Sequence, residues 1–239
     1  MALLSIFCET QGMTSAPLTA RAVARRELTQ AIVTSARRQL GEIGPTQLSV
    51  RAVARDLGMA SSAVYRYFPS RDELLTELLV VIYGELAYVL EAADAAVERC
   101  DLHGRWMALA RTLRSWAVAA PHEYAFLYGS PVPGYSAPQA TVEPSARVTG
   151  VLISLIHDLD EAGSIPPTSP SPAGAHEQLS AFRRQAGIES SDEAILRGVT
   201  AWGGLLGAIS LELFGHLHRA VVDYEAHFEL IIARLDPTC

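Results

Sequence analysis

Between Ser49 and Leu75 the chain reads SVRAVARDLGMASSAVYRYFPSRDELL, and that stretch leaves few architectures open. Ser49 suits the cap of a short helix reaching Leu57, with Leu48 and Val53 at the two positions of a hydrophobic staple. Gly58 follows as the residue able to take a positive φ, so the chain can turn sharply there. A second short helix is expected from about Ser61 to Phe68, stopped by Pro69. Ser70-Arg71-Asp72-Glu73 then reads as a capping box opening a longer helix, with Leu75, Leu79, Ile82, Leu86 and Leu90 along one face. Upstream, Ala24, Leu28, Ala31, Ile32 and Leu40 share a face of a helix over about residues 20–41, ended by Gly41 and Gly44-Pro45. Two short helices joined by a glycine turn and wedged between longer ones form a helix-turn-helix.

Charge says what such a head faces. The chain of 239 residues carries a net charge of −7, and all 19 of its basic residues are arginine. Residues 21–71 nevertheless hold nine arginines against Glu27, Glu42 and Asp56, a balance of +6, while residues 72–239 stand at −12. A solvated helix face would mix signs; a basic segment on an acidic body is the footprint of a polyanion-binding module joined to something else. In the second short helix Val64 and Phe68 are spaced to point inward, which leaves Ser61, Ser62, Tyr65 and Arg66 turned outward, a set suited to bases and phosphates. Tyr67 can set its ring on the module and its hydroxyl on a phosphate. Arg51 and Arg71 sit in the first turns of their helices, where the macrodipole disfavours a cation, so an outside anion is expected. For Arg71 the alternative is an ion pair with Asp72 or Glu73.

The run LSVRAVARDLGMASSAVYRYFPSRDELL, with its glycine turn and its Tyr-x-x-Phe-Pro-Ser-basic segment, resembles the DNA-binding signature of the tetracycline-repressor (TetR) family over about residues 22–75. Ala60 stands where that family usually has a capping serine, Tyr67 where histidine is common and Arg71 where lysine is usual; Ser61 or Ser62 could cap instead after a one-residue shift. The resemblance implies an all-α fold, with a three-helix DNA-binding head at 21–70, a larger helical effector-binding and dimerisation part at 71–239, and a loose tail at 1–20. It also implies DNA contacts at Ser49, Arg51, Ser61, Ser62, Tyr65, Arg66, Tyr67 and Arg71.

In the body, helical patterns continue, with a Pro/Ser-rich interruption at 163–174 that reads as a mobile loop. Aromatics crowd the segment 103–129. By the family resemblance, Trp106, Arg114, Trp116, Tyr124, Tyr128 and His157 are candidates to line a pocket for a small lipophilic effector. The C-terminal run from Ile195 to Ala220 and the stripe Tyr224, Phe228, Ile231, Ile232, Leu235 read as two apolar helices. Gly203 and Gly207 make a flat strip four residues apart, and helical glycine costs about 1 kcal/mol unless packing compensates. The resemblance places the homodimer interface here, at Trp202, Gly203, Gly207, Leu211, Phe228, Ile231 and Ile232. The segment around Trp202 and SLELFGHL resembles an actinobacterial C-terminal subtype, with Leu206 where that subtype has histidine.

An enzyme would need a constellation that the sequence lacks. His216 and His218, two apart, fall on different sides of a helix, so no metal is expected; no phosphate loop or nucleophile elbow is found, and no cofactor is implied. Cys8, Cys100 and Cys239 lie too far apart for a disulfide framework and fit a cytoplasmic protein. No membrane span is expected, since VVIYGELAYVL is interrupted by Glu85. The expectation is a dimeric regulator on a palindromic operator in double-stranded DNA, released by an effector; an activator of the same fold and a helical scaffold protein are the alternatives.

Overall fold

The structure, a computed structural model, describes residues 19–163, 165, 177, 179–180, 183–184 and 188–238. The expected tail before Thr19, most of the Pro/Ser-rich 163–174 segment, Cys8 and Cys239 lie outside the described residues. Among the described residues every regular element is helical: α1 Ala20–Gln47, α2 Val50–Asp56, α3 Ser61–Tyr65, α4 Arg71–Ala95, α5 Leu102–Ala119, α6 Pro121–Tyr128, α7 Val142–Glu161 after a single 3₁₀ turn, α8 Asp192–Leu213 and α9 Tyr224–Arg234. The fold is all-α, as the periodicity requires.

Local chemistry sets the helix ends. The side chains of Thr19, Ser49, Ser70, Asp101, Ser191 and Asp223 each accept a backbone N–H from the first turn of the helix they precede. At the end of α2, Gly58 takes φ 64, and the N–H groups of Gly58 and Met59 return to the carbonyls of Arg55 and Ala54, the two bonds of a Schellman motif. Three boundaries differ from those read in the sequence. α1 runs on through Gly41 and breaks at Gly44 (φ 74, ψ 168), just ahead of Pro45; its buried face is Ile32, Val33, Ala36 and Leu40, while Ala24 is exposed beyond the head's core. α3 stops at Tyr65 rather than Phe68, because Pro69 disfavours helical geometry before it and the chain tightens, with Tyr67 and Phe68 both donating to the Val64 carbonyl. α8 ends at Leu213, where Gly215 takes φ 76, instead of running on to Ala220.

Two hydrophobic clusters share one helix. The head's cluster gathers Ile32, Leu40, Val53, Val64 and Phe68 on Leu74, Leu75, Leu78 and Ile82 of α4. Further along α4, Leu86 and Leu90 enter a second cluster with Trp106, Leu113, Leu155, Leu205 and Phe228. The expected division at residue 70 therefore falls at the start of a helix common to both cores. Two polar ties reinforce it. Arg37 of α1 donates to Glu85 of α4 at 2.9 Å and to Glu123 of α6 at 2.7 Å, and these carboxylates, Glu123 first, raise the pKa of its guanidinium. Arg105 of α5, 1% exposed, reaches Asp94 of α4 at 2.7 Å and Asp158 of α7.

Candidate nucleic-acid interface and effector cavity

The nine head arginines separate into two groups. Arg37 is held by Glu85 and Glu123, and Arg38 by Asp56 and Glu42. Arg71 is turned inward: its Nε donates to the Leu48 carbonyl at 3.1 Å and one Nη to that of Pro45 at 2.8 Å, with Thr46 at 3.4 Å and the Asp72 carboxylate at 3.7 Å. The carbonyls of the α1–α2 turn thus supply the compensation that the helix start demanded, the place expected for a phosphate. The remaining six, Arg21, Arg25, Arg26, Arg51, Arg55 and Arg66, have no ion-pair partner among the described residues, and all are exposed.

Around α3 the outward set is in place. Val64 is fully buried and Phe68 nearly so, which turns Ser62, Tyr65 and Arg66 to solvent, with Ser61 half-buried. Ala60 occupies the cap position with no side-chain bond, so the one-residue shift that would engage Ser61 or Ser62 is not taken, and both hydroxyls remain available. Ser49 accepts the Ala52 N–H at 3.2 Å and caps α2. Tyr67 is half-buried beneath Arg25, whose guanidinium carbon lies 5.1 Å from the ring centroid. Arg71→Ala removes three N–H contacts that close the α1–α2 turn, and an unfolding titration is expected to show a loss of about 1–3 kcal/mol.

The six residues expected to line a pocket take other places. Trp106 is fully buried and donates its indole N–H to the Ile232 carbonyl at 2.8 Å. Tyr124 is fully buried and donates to the Leu206 carbonyl at 2.8 Å, beside Ser210. Arg114 forms a two-pronged pair with Glu212, both contacts at 2.8 Å, and covers the Phe228 ring at 5.2 Å. Trp116 packs against both clusters. Tyr128 lies among Tyr83, Tyr124 and Trp202, with ring centroids 5.4–6.3 Å away, and burial raises its pKa. These are packing positions, since aromatic side chains on core-facing helical stripes bury first.

A cavity of about 210 Å³ opens instead between α7 and α8. Leu152 and Ile156 line it from α7, and Ile195, Val199 and Trp202 from α8. Thr149 and Ser190 bring its hydroxyls, and among the described residues no charged side chain lines it. His157 stands just behind, its Nδ1 3.5 Å from the Ser190 hydroxyl. Proximity along the sequence could not reveal this site, because its two walls are some 40 residues apart and neither is aromatic-rich.

The expected dimer residues also divide. Phe228 and Ile232 are 3% and 0% exposed within the chain's own core, so they are not open to a partner. Trp202 and Ile231 are half-buried. Gly203 and Gly207 face open space, with no atom within 4 Å of a would-be Cβ, and they continue an exposed line through Leu196, Val199 and Leu211. Leu230 of α9 is 70% exposed, on the side of the helix opposite Phe228 and Ile232. Gly204 instead faces inward, where a Cβ would meet the tip of the Leu235 side chain at 2.5 Å and make it shift.

Comparisons with known proteins agree with this geometry. Residues 32–78 match the family described as bacterial regulatory proteins, tetR family, and residues 106–235 match the tetracyclin repressor-like C-terminal domain. The HTH-type transcriptional regulators Rv1816 of Mycobacterium tuberculosis and Mb1846 of Mycobacterium bovis are each 40% identical over 219 residues, covering 89% of this chain and 94% of theirs. The crystal structure of the regulatory protein SCO4313 superposes with a TM-score of 0.75 at 33% identity, over 91% of this chain and 98% of that one. A Rhodococcus sp. RHA1 protein of unknown function shares the fold, with a TM-score of 0.64 at 24% identity over 87% and 95% of the two chains. With a helix-turn-helix at its N-terminus and the matching helical domain behind it, the chain belongs to the TetR family of transcriptional regulators and is not an enzyme.

Proposed function

We propose that the protein is a cytoplasmic repressor that binds a palindromic operator as a homodimer and is released by a small lipophilic effector. The observation that carries this reading is the sorting of cations. Six of the nine head arginines are exposed with no acidic partner among the described residues. In the body Arg99, Arg105, Arg111, Arg114 and Arg147 are each matched to an acid, and outside residues 164–187 only the C-terminal Arg219 and Arg234 stand exposed without one among the described residues. Cations left unmatched in an otherwise acidic chain suit a polyanion, and the free hydroxyls of Ser61 and Ser62 beside Arg66 suit base edges.

The reading divides the chain into the head, 21–70, and the effector-binding and dimerisation part, 71–239. Dimerisation is supported by α8. By length and composition this helix could cross a membrane, with a mean hydropathy of 1.4, yet only 33% of its apolar window is buried in the monomer. An apolar face of that size next to exposed glycines fits a second copy of the same helix about a twofold axis. The α7/α8 cavity is the proposed effector site. A cavity of about 150 Å³ admits benzene, so this one suits an uncharged, compact apolar molecule of about ten non-hydrogen atoms. Binding there would favour one spacing of the two heads over the spacing that matches successive major grooves.

The test is selection of duplexes from a random pool by the full-length protein. An inverted repeat with half-sites about one helical turn apart is expected. Ser62→Ala or Arg66→Ala should change which bases are enriched, each shifting discrimination by about 1–3 kcal/mol. Enrichment of no sequence over the starting pool would refute the reading.

A further inference from the structure

On α1 the stripe facing the head's core contains Ile32 and Ala36, fully buried, then half-buried Leu28. At 3.6 residues per turn the same stripe continues backwards through Arg25 and Arg21. The first two turns of α1 therefore overhang the core, and the residues that would face it there are arginines. Both are exposed and neither has an ion-pair partner among the described residues. The overhang is not pointing into empty solvent. Arg25 lies over the ring of Tyr67, two residues past the end of α3, so the stripe leads directly to the rim of the recognition helix.

That stacking uses only one face of the guanidinium; its N–H edges remain free to donate. Arg21 follows one turn away, about 6 Å along the axis. Phosphates repeat every ~3.4 Å of duplex axis on each strand, so two cations about 6 Å apart can each meet a different phosphate of that strand. Arg26 carries the same charge but is rotated about 100° around the helix, off the stripe.

We propose that Arg21 and Arg25 form a second DNA-binding track, gripping the phosphates of the strand that borders the groove entered by α3, with Arg25 oriented by Tyr67. The inference rests on the DNA-binding reading above and adds a site that the helix-turn-helix does not contain. It is tested with the full-length protein and a fluorescein-labelled pool of random-sequence duplexes, by anisotropy between about 50 and 200 mM salt. Circular dichroism melts check that each variant is folded. Arg21→Ala and Arg25→Ala are each expected to flatten the slope of log K against log salt by about 0.9, and the double variant by about 1.8, while Arg26→Ala, off the stripe, flattens it by clearly less. Arg25→Lys should retain the slope, since its charge can still meet a phosphate, but weaken binding through the lost stack. Equal flattening in all three alanine variants would mean a diffuse field and would overturn the track; unchanged slopes in Arg21→Ala and Arg25→Ala would overturn it as well. Salt-independent binding by the unaltered protein would remove the DNA-binding reading itself, a result visible before any variant is measured.

Discussion

Arg105→Ala should lower the unfolding free energy by about 3–5 kcal/mol, a fall of roughly 6–20 °C in Tm for a chain of this size. The guanidinium is 1% exposed and stands between Asp94 and Asp158, whose side chains are 18% and 20% exposed. Burial by itself would lower the arginine's pKa, but the bonds to Asp94 and Asp158 outweigh it and the net direction is upward. The cation is therefore better stabilised in the fold than in water. Its removal leaves Asp94 of α4 without its cation and Asp158 of α7 with Arg99 alone, both carboxylates facing the same gap. Arg105→Met restores most of the volume but none of the charge, so it should lose nearly as much; recovery of stability by methionine would instead make the residue a space filler. Chemical denaturation of the two variants side by side decides between these outcomes.

Gly207→Glu is expected to leave the monomer folded and to abolish the dimer. A Cβ at this position meets nothing within 4 Å, and replacing a helical glycine adds about 0.5–1 kcal/mol of local helix stability. In the proposed seam, however, the substitution sets a carboxylate from each copy against an apolar strip formed by Leu196, Val199, Gly203 and Leu211. Separating the copies removes the advantage of two linked heads, and operator affinity should fall by about 10²–10⁴-fold. Sedimentation gives the assembly state, and far-ultraviolet circular dichroism confirms the helices. A variant that sediments as a dimer and holds its operator as before would place the interface elsewhere.

Much of the head was legible because its rules act over a few residues. Ser49 and Ser70 cap where they stand, Gly58 turns because it alone tolerates φ 64 cheaply, and Val64 with Phe68 mark the buried side of the recognition segment. The end of α3 was less legible, since Pro69 acts against a helix whose last turn can close in more than one way. Arg71 shows where local reasoning stopped. Its position at a helix start pointed to an outside anion, but the groups that meet it within the chain are carbonyls of Pro45, Thr46 and Leu48, brought beside it by the fold.

The same division runs through the body. Periodicity identified α8 and α9 as apolar and the family resemblance set Phe228 and Ile232 among the partner-facing residues, yet both are buried in the chain's own core, because an apolar stripe does not say which neighbour will cover it. Helices, their caps, the glycine turn and the opposite charge of head and body follow from the order of residues, as each depends on neighbours within one or two turns. Which arginines keep a free charge and where the cavity opens depended on packing. Arg37 and Glu85 are 48 positions apart and Arg105 and Asp158 are 53, and chemically equal side chains acquire different partners only when separate helices are laid against one another.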